Sequence, residues 1–375
     1  MTLISLTLNN GFPILTGDIL VTSKVIGQSN SVITPTALLG VGDFLADIPN
    51  KPYSLYQKIY VINPCLCIGL AGNLAQMTSY LKSMRAFFSN GSTEKELKEW
   101  LNSYDKEKLE NLGAIGLHFE PHEGRMGALK VFKFTHGNVK EARTSEFGQT
   151  FSIGSGADQF INLAITSTNS HAMNEVEMPD SQKMWRMSLQ RNLQLFGRIL
   201  GTEAFHMTTI SNAWGAGLEV IAFKNGAFFK LPETTVSIFE VLFNWKTKKV
   251  EGFCSVATMK FYYHNAAFII DSANNEIARR FIVPELGKES EDYDVSGLPP
   301  RTDFNSLNTI VTYYIPREDG IGHYVGQAVL LRDTMKLEGS FIRFIKKEDG
   351  RQILDIDSSF RLSIEKKLRN KIWPK

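Results

Sequence analysis

MTLISLTLNNGFPILTGD, residues 1–18, is the stretch of sequence that decides the fold. Apolar and polar side chains alternate over residues 3–8 and, less strictly, over residues 12–22, with the turn signal NNG between the two runs. This pattern predicts two antiparallel strands joined by a tight hairpin turn. The small residue Thr2 favours removal of Met1 by methionine aminopeptidase. We therefore expect a mature chain that begins with a threonine at the outer end of the first strand.

A threonine at the start of a chain carries a hydroxyl group and a free α-amine on one residue. These two groups can serve together as a nucleophile and its base. A small second residue is also common in cytosolic proteins, so Thr2 taken alone does not establish a catalytic role. The functional interpretation depends on the residues that other parts of the chain bring to it.

Composition excludes several classes of protein. A chain of 375 residues suggests two domains, and 43% hydrophobic with 21% charged residues is typical of a globular protein with sizeable cores. A formal net charge of +2 gives no reason to expect a nucleic-acid partner. The sequence has no apolar run of membrane-spanning length, no secretory signal pattern, and only three cysteines. We therefore expect a cytoplasmic protein with no membrane partner.

Residues 1–231 predict an α+β domain. Strands are followed by two helices, then by strands, by two further helices, and by a hairpin closed at the turn NG of residues 225–226. Thr93 and Glu96 have the spacing of a capping box at the start of the second helix. This order favours two facing sheets with helices on both outer faces. Residues 25–57, rich in Ser, Thr, Pro and Gly, are predicted to form a long loop.

Residues 232–375 predict a second domain that is mainly β. Eight short runs rich in β-branched and aromatic residues alternate with turn signals, as in a β-sandwich. The acidic stretch 288–303 is expected to be a solvated loop. The role of this accessory domain does not follow from its sequence.

Two sequence intervals in the first domain separate residues that could belong to one site. Asp18 follows Thr2 by sixteen positions, and Lys58 precedes Gly72 by fourteen. Further on, the run FSIGSGADQFINLA has a strand leading into Gly-Ser-Gly and then a helix, which places a serine at Ser155. With the order of strands and helices, these intervals make residues 2–230 resemble the N-terminal-nucleophile (Ntn) hydrolases of the proteasome β-subunit kind. These residues also resemble the proteasome-like peptidase of bacteria.

This resemblance implies a four-layer αββα sandwich and a role for each matched residue. Thr2 would be the nucleophile, while Asp18 would keep Lys58 ionised and oriented so that its charge lowers the pKa of the hydroxyl and the amine. The backbone N–H of Gly72 would donate to the oxyanion of a tetrahedral intermediate. Ser155 would hold the amine or a bridging water. No cofactor and no metal are implied.

Other positions match the resemblance less well. Thr22, four residues beyond the acid, has a counterpart in the family and would support the site. Asn212 stands where the family has an aspartate, and Gly215 stands where it has the partner serine, so the threonine amine would be less basic than usual. Gln76 replaces an aspartate that often follows the oxyanion glycine. The long segment 25–57 would overhang the substrate cleft as a lid or a subunit contact.

The sequence thus predicts an N-terminal-threonine hydrolase, a proteasome-like peptidase that is activated by removal of Met1 and cleaves amide bonds through an acyl-enzyme on Thr2. The expected partners are a peptide or protein substrate, further copies of the chain in a homo-oligomer, and an unfoldase or other protein bound by the C-terminal domain. Two alternatives remain open. One is a catalytically inactive scaffold whose C-terminal domain binds a partner, and the other is an Ntn amidase acting on a small amide or γ-glutamyl compound.

A second cluster of polar residues carries less information. HFEPHE, residues 118–123, contains metal-ligating side chains, but Pro121 excludes a helical two-histidine site and the run has the pattern of a hairpin tip. We therefore expect no metal there.

Overall fold

A computed structural model describes the chain over most of its length, in ranges 2–9, 11–23, 33–36, 51–104, 110–122, 125–135, 139–144, 147–166, 180–274, 277–301, 303–331, 342–346 and 352–372. The protein is a mixed α+β protein with about 27% helix and 48% strand, arranged in several sheets. The predicted α+β class is therefore confirmed. Most of the predicted loop 25–57 lies outside the described residues.

Twenty strands, six α-helices and one short 3-10 helix (Ser290–Asp292) make up the regular structure of the described residues. The strands are β1 (Leu3–Asn9), β2 (Phe12–Asp18), β3 (Leu20–Ser23), β4 (Lys51–Leu55), β5 (Ile59–Asn63), β6 (Leu66–Gly72), β7 (Leu112–His122), β8 (Arg125–Thr135), β9 (Lys140–Thr144), β10 (Gly148–Gly154), β11 (Leu218–Lys224), β12 (Ala227–Lys230), β13 (Thr234–Asn244), β14 (Lys249–His264), β15 (Ala267–Asn274), β16 (Ile277–Val283), β17 (Asn308–Pro316), β18 (His323–Leu331), β19 (Ile342–Lys346) and β20 (Gln352–Ile356). The helices are α1 (Leu74–Phe88), α2 (Glu94–Ser103), α3 (Ala157–Thr166), α4 (Asp180–His206), α5 (Thr208–Ser211) and α6 (Ser358–Ile372).

The opening hairpin forms as the alternation predicts. β1 and β2 pair antiparallel from Ile4 opposite Gly17 to Asn9 opposite Phe12. The pair lies at the centre of a first sheet with the order β12-β11-β2-β1-β10-β9. This register brings the beginning of β1 and the end of β2 to the same end of the sheet.

A second sheet faces the first. Its order is β5-β6-β7-β8, and β3 and β4 form a separate two-stranded ribbon. Apolar side chains of the two sheets meet in one buried cluster, which includes Ile4, Leu6, Leu15, Phe151 and Ile221 from the first sheet and Ile59, Cys67, Ile115 and Leu117 from the second. Because side chains alternate along a strand, each sheet also has an opposite apolar face that must be covered.

Helices α1 and α2 cover the outer face of the second sheet. Asn73 begins α1 by accepting the N–H groups of Ala75 and Gln76 through its side chain, and the capping box of Thr93 and Glu96 begins α2 as predicted. Apolar residues at helical spacing bury one face of α1 against the sheet, namely Met77, Tyr80, Leu81, Met84 and Phe88. The second helix ends at Ser103, whereas the sequence pattern of residues 92–112 favours a helix over the whole run.

Helix α4 lies between the first sheet and a third one. Residues of α4 such as Leu193 and Phe196 share one apolar cluster with Leu218 of the first sheet and with Ile238 and Phe261 of the third. The predicted boundary at residues 231 and 232 falls between β12 and β13. Since the cluster crosses this boundary, the two predicted domains share a core.

The third sheet departs from the predicted β-sandwich. Its six strands form a single sheet, in the order β16-β15-β14-β13-β17-β18, and only β13 and β17 run parallel. Helix α6 covers its other face, because Phe360, Ile364 and Leu368 recur at helical spacing and pack on residues of β13 and β17. Within the described part of the chain, no helix is both long and apolar enough to cross a membrane.

The shared core predicts unequal effects for two leucine truncations. Leu193 is 0% exposed on α4, whereas Leu362 is 63% exposed on α6. Leu193→Ala should lower the free energy of unfolding by about 2–5 kcal/mol, because it leaves a cavity between two sheets. Leu362→Ala should change it by less than about 0.5 kcal/mol. Urea unfolding of both variants measures the difference, and equal effects would contradict a core built around α4.

Candidate active site

Thr2 and Asp18 meet at the end of the opening hairpin. The Thr2 hydroxyl donates a hydrogen bond to Asp18 Oδ1 at 2.5 Å, and the backbone N–H of Leu3 donates to the same oxygen at 2.8 Å. The side chain of Asp18 is fully buried and Thr2 is 2% exposed. The antiparallel register places these groups together, because the residue before β1 lies beside the last residue of β2.

Lys58 reaches the same carboxylate from the second sheet. It stands directly before β5, and its Nζ lies 2.8 Å from Asp18 Oδ1 and also donates to the carbonyl oxygen of Leu20. Burial lowers the pKa of Lys58, while the charges of Asp18 and Glu219 act against that shift. The fully buried ammonium therefore releases its proton more readily than an exposed lysine does.

Glu219 fixes the backbone of Lys58, a role that the sequence did not indicate. Its Oε2 accepts the N–H of Lys58 at 3.0 Å. Its Oε1 accepts from Lys230 Nζ at 2.9 Å and from the hydroxyl of Tyr263 at 3.0 Å. Since Tyr263 belongs to β14, the third sheet contributes to the placement of the lysine.

The Gly-Ser-Gly run surrounds the carbonyl oxygen of Thr2. The Ser155 hydroxyl lies 3.3 Å from this oxygen and 3.3 Å from the carbonyl oxygen of Ala213, so its single proton can be donated to either. The N–H of Gly156 donates to the Thr2 oxygen at 3.4 Å. The predicted serine thus lies beside Thr2, at its carbonyl group.

Gly72 ends the central strand β6 next to Lys58. The N–H of Leu70, two residues earlier, donates to the carbonyl oxygen of Lys58 at 2.9 Å. Alternation along a strand directs the N–H of Gly72 to the same edge, just beyond this bond. Its φ of +128° favours glycine, and an added Cβ would lie 1.9 Å from the carbonyl oxygen of Asn111. The strand end therefore presents a backbone donor on the lysine side.

A loop of residues 213–217 completes the surroundings of Asp18. The N–H of Gly215 donates to Asp18 Oδ2 at 3.0 Å, so both carboxylate oxygens are satisfied. The resemblance stated from the sequence predicted only a missing serine at Gly215, because a backbone donor leaves no signal in side-chain identity. Asp18 is thus held by groups from β1, the Lys58 segment and this loop.

Glu203 is a second buried carboxylate behind the loop, and the sequence analysis missed it. It accepts hydrogen bonds from the hydroxyls of Thr36 and Thr209 and from the N–H of Ala216, at 3.0 Å to Oε1 and 3.1 Å to Oε2. Burial raises the pKa of Glu203 to about 7, although these hydrogen bonds oppose the shift. The sequence does contain a signal for this residue. Glu203 lies one turn after Leu200, so a charged residue falls within the apolar stripe of the helix.

The remaining predicted residues lie at the edges of the site. Thr22 is half-buried on β3, opposite Pro52. Asn212 is exposed and lines, with Ser155, an open surface pocket of about 420 Å³ along α3. Gln76, in the first turn of α1, accepts the N–H of Asn111 at 3.2 Å. The hydrogen bonds that join Thr2, Asp18 and Lys58 do not involve these residues.

The histidine-rich run, residues 118–123, is only partly described. His118 is buried, and its Nε2 lies 3.0 Å from the carbonyl oxygen of Ser92. The side chains of His122 and Glu123 lie outside the described residues. Among the residues whose placement is described, no group of three His, Cys, Asp or Glu side chains is arranged to hold a metal ion.

The buried ion pair predicts a large effect of removing one partner. Lys58→Met leaves Asp18 charged and buried without its cation, so the free energy of unfolding should fall by about 3–5 kcal/mol. Lys95→Met removes an 84% exposed lysine whose pair with Glu99 measures 3.8 Å, and should change it by less than about 0.5 kcal/mol. Chemical denaturation measures both, and a loss below about 1 kcal/mol for Lys58→Met would contradict a tightly desolvated pair.

Glu203 predicts a pH dependence of stability. Its pKa in the folded protein, about 7, lies above the reference value of 4.5, so between these values the folded state keeps a proton that the unfolded state loses. The contribution of Glu203 to the free energy of unfolding is fully present below about pH 4.5. This contribution falls by about 3 kcal/mol as the pH rises to about 7. Unfolding of wild type and Glu203→Gln across this range isolates the contribution, and parallel pH curves would contradict it.

Comparison with known proteins adds no family assignment. No protein-family model matches the chain, and a search of curated proteins finds no match.

Proposed function

We propose that the chain is an N-terminal-threonine hydrolase that cleaves amide bonds. The observation that carries the proposal is the convergence of the Thr2 hydroxyl, the Asp18 carboxylate and the Lys58 ammonium in one buried cluster. Along the chain, Asp18 is 16 residues from Thr2, and Lys58 is 40 residues from Asp18. Perturbed ionisable groups that converge around a hydroxyl are typical of a site that activates a nucleophile.

The architecture supports the same proposal. Two facing sheets with helices on their outer faces agree with the αββα sandwich that the resemblance to proteasome β-subunits implies. The hairpin that carries Thr2 lies at the centre of the first sheet, and the lysine enters from the second. We therefore assign residues 1–231 to the Ntn class as part of the proposal, with residues 232–375 as an accessory unit.

The proposed reaction begins after processing, when Thr2 has a free α-amine. The Thr2 oxygen attacks the carbonyl carbon of the substrate, and its proton passes to this amine directly or through one water. An α-amine has a reference pKa of about 7.7–8.0, so a useful fraction is unprotonated near neutral pH. Lys58, held by Asp18, supplies a positive charge beside the forming alkoxide.

The tetrahedral intermediate then collapses to an acyl-enzyme. The N–H of Gly72 donates to the oxyanion, and the loss of one such donor typically raises a barrier by about 2.7–4 kcal/mol. The C–N bond breaks as the protonated amine returns its proton to the leaving nitrogen. Water next attacks the ester on Thr2, with the α-amine again as base, and releases the carboxylic acid.

The substrate class is proposed as a peptide or protein. A homo-oligomer that confines the site and a protein partner such as an unfoldase at the C-terminal unit follow from the same resemblance. The cytoplasmic location is proposed from the composition of the chain. An open pocket of about 420 Å³ lies beside Ser155 and Asn212 and has room for a small molecule, so a small amide is the narrower alternative.

One observation favours an inactive scaffold instead. Thr2 is 2% exposed, and its hydroxyl already donates to Asp18. An enclosed threonine to which Met1 is still attached has no free α-amine, and its hydroxyl is closed to substrate. The two functions therefore differ in whether the chain is processed to expose Thr2.

Covalent labelling of purified protein separates the two functions. Intact mass is expected to show a chain that starts at Thr2, and an electrophile that forms a ring with the hydroxyl and amine of an N-terminal threonine should add once. Thr2→Ala should abolish the adduct because it lacks the hydroxyl, whereas Thr2→Ser should retain it as the matched control. A processed wild-type chain that forms no adduct, or an adduct on Thr2→Ala, would exclude the proposed enzyme.

A further inference from the structure

The loop that holds Asp18 has an unusual backbone. Ala213, Gly215, Ala216 and Gly217 all have positive φ values, of 64°, 107°, 65° and 149°. Left-handed conformations are unfavourable for alanine, so surrounding contacts must impose them. Such strained segments concentrate at functional sites, where they hold groups in a required position.

Two carboxylates hold consecutive N–H groups of this loop. The N–H of Gly215 donates to Asp18 Oδ2 at 3.0 Å, and the N–H of Ala216 donates to Glu203 at 3.0 and 3.1 Å. A Cβ at position 215 would lie 2.1 Å from Glu203 Oε2, so the carboxylate occupies the space beside the glycine. The geometry of the bond to Asp18 therefore depends on where Glu203 holds the loop.

We propose that Glu203 is a positioning residue of the Thr2 centre: through the N–H of Ala216 it orients the loop so that Gly215 can donate to Asp18. This inference rests on the proposed function for its catalytic meaning, because Glu203 touches neither Thr2 nor Lys58 in the hydrogen bonds of the described residues. Asp18 orients Lys58 and accepts the Thr2 hydroxyl, so a displaced Asp18 would misplace both groups.

The same carboxylate anchors the segment inserted between Asp18 and Lys58. The hydroxyl of Thr36 donates to Glu203 Oε1, and the carbonyl oxygen of Pro35 accepts the hydroxyl of Ser272 at 2.6 Å. Residues 33–36 are thus fixed between α4 and β15. Because one side chain accepts from both the insertion and the loop, the docking of residues 33–36 is coupled to the geometry around Asp18.

Protonation of Glu203 gives this coupling a measurable signature. The hydroxyls of Thr36 and Thr209 face its carboxylate, and Asp18 is the charged group whose field acts on it, with Lys58 beyond. Above its pKa of about 7, Glu203 carries a negative charge that repels the Asp18 carboxylate, the group that accepts the Thr2 hydroxyl and orients Lys58. A reaction at Thr2 should therefore change its rate across this pH, and a neutral glutamine should remove the change.

Two measurements on three variants test the positioning role. Glu203→Ala removes the acceptor, Glu203→Gln keeps one acceptor oxygen without charge, and Glu365→Gln is the matched control. Glu365 is a half-buried carboxylate on α6 that also accepts a backbone N–H, from Val250 at 3.0 Å. Hydrogen–deuterium exchange reports on the loop whether or not the protein is an enzyme, and the rate of electrophile labelling reports on Thr2.

The expected results distinguish positioning from simple packing. Glu203→Ala should speed exchange of the 213–217 amides and slow labelling by about ten-fold each, the equivalent of one hydrogen bond. Glu203→Gln should stay within about three-fold of wild type in both at about pH 6. Its labelling profile should keep the inflection of the Thr2 α-amine, whose reference pKa is about 7.7–8.0, and lack the separate one of Glu203 near pH 7. Glu365→Gln should match wild type in exchange, rate and pH profile.

Each contrary result has a separate meaning. Unchanged loop exchange in Glu203→Ala overturns the positioning role, whatever the labelling shows. Equal losses of labelling in Glu203→Gln and Glu203→Ala also overturn it, because they would reveal a general loss of packing. Wild-type protein that is processed but never labelled overturns the proposed function, and the exchange data then still decide whether Glu203 orients the loop.

Discussion

The buried ion pair of Lys58 and Asp18 joins the two facing sheets, and the rest of the site is arranged around it. Removing two charges from water costs several kcal/mol per ion, and the attraction between them offsets this only when the remaining hydrogen-bonding capacity is used. Here Asp18 accepts from Thr2, Leu3 and Gly215 besides the lysine, and Lys58 also donates to the Leu20 carbonyl. Apolar residues would fill this space without the free-energy cost of desolvating two charges. The presence of the ion pair is therefore an argument for a chemical role.

Local patterns predicted the elements that hold this pair. The turn signal NNG between two alternating runs specified the β1–β2 hairpin, and the Thr93–Glu96 capping box specified the start of α2. Thr2, Asp18 and Lys58 were selected by two sequence intervals and a resemblance, and they do converge. The intervals predict this convergence because the length and register of a strand are fixed. A given number of residues after Thr2 therefore ends at a defined place, the same end of the sheet.

Other contributors left little trace in the sequence because their roles depend on tertiary structure. Gly215 acts through a backbone N–H, which any residue that tolerates the conformation could supply. Glu219 has the pattern of an ordinary strand residue, and only the folded chain brings Lys230 and Tyr263 to it. Residues 358–372 follow a series of strand-like runs, so the helical spacing of α6 was overlooked. In each of these examples, the role of the residues depends on contacts between segments that are far apart in the sequence.

These tertiary contacts connect the C-terminal sheet to the Thr2 centre by three routes. Tyr263 donates to the glutamate that fixes Lys58, and Gln57, the residue before that lysine, donates to the carbonyl oxygens of Ala266 and Val283. Ser272 holds the segment whose Thr36 reaches Glu203. A boundary at residue 231 divides the sequence by its composition, but the hydrogen bonds around Lys58 and Glu203 cross it. Any change that shifts the third sheet therefore acts on the ion pair, and the C-terminal unit is part of the framework that sets its geometry.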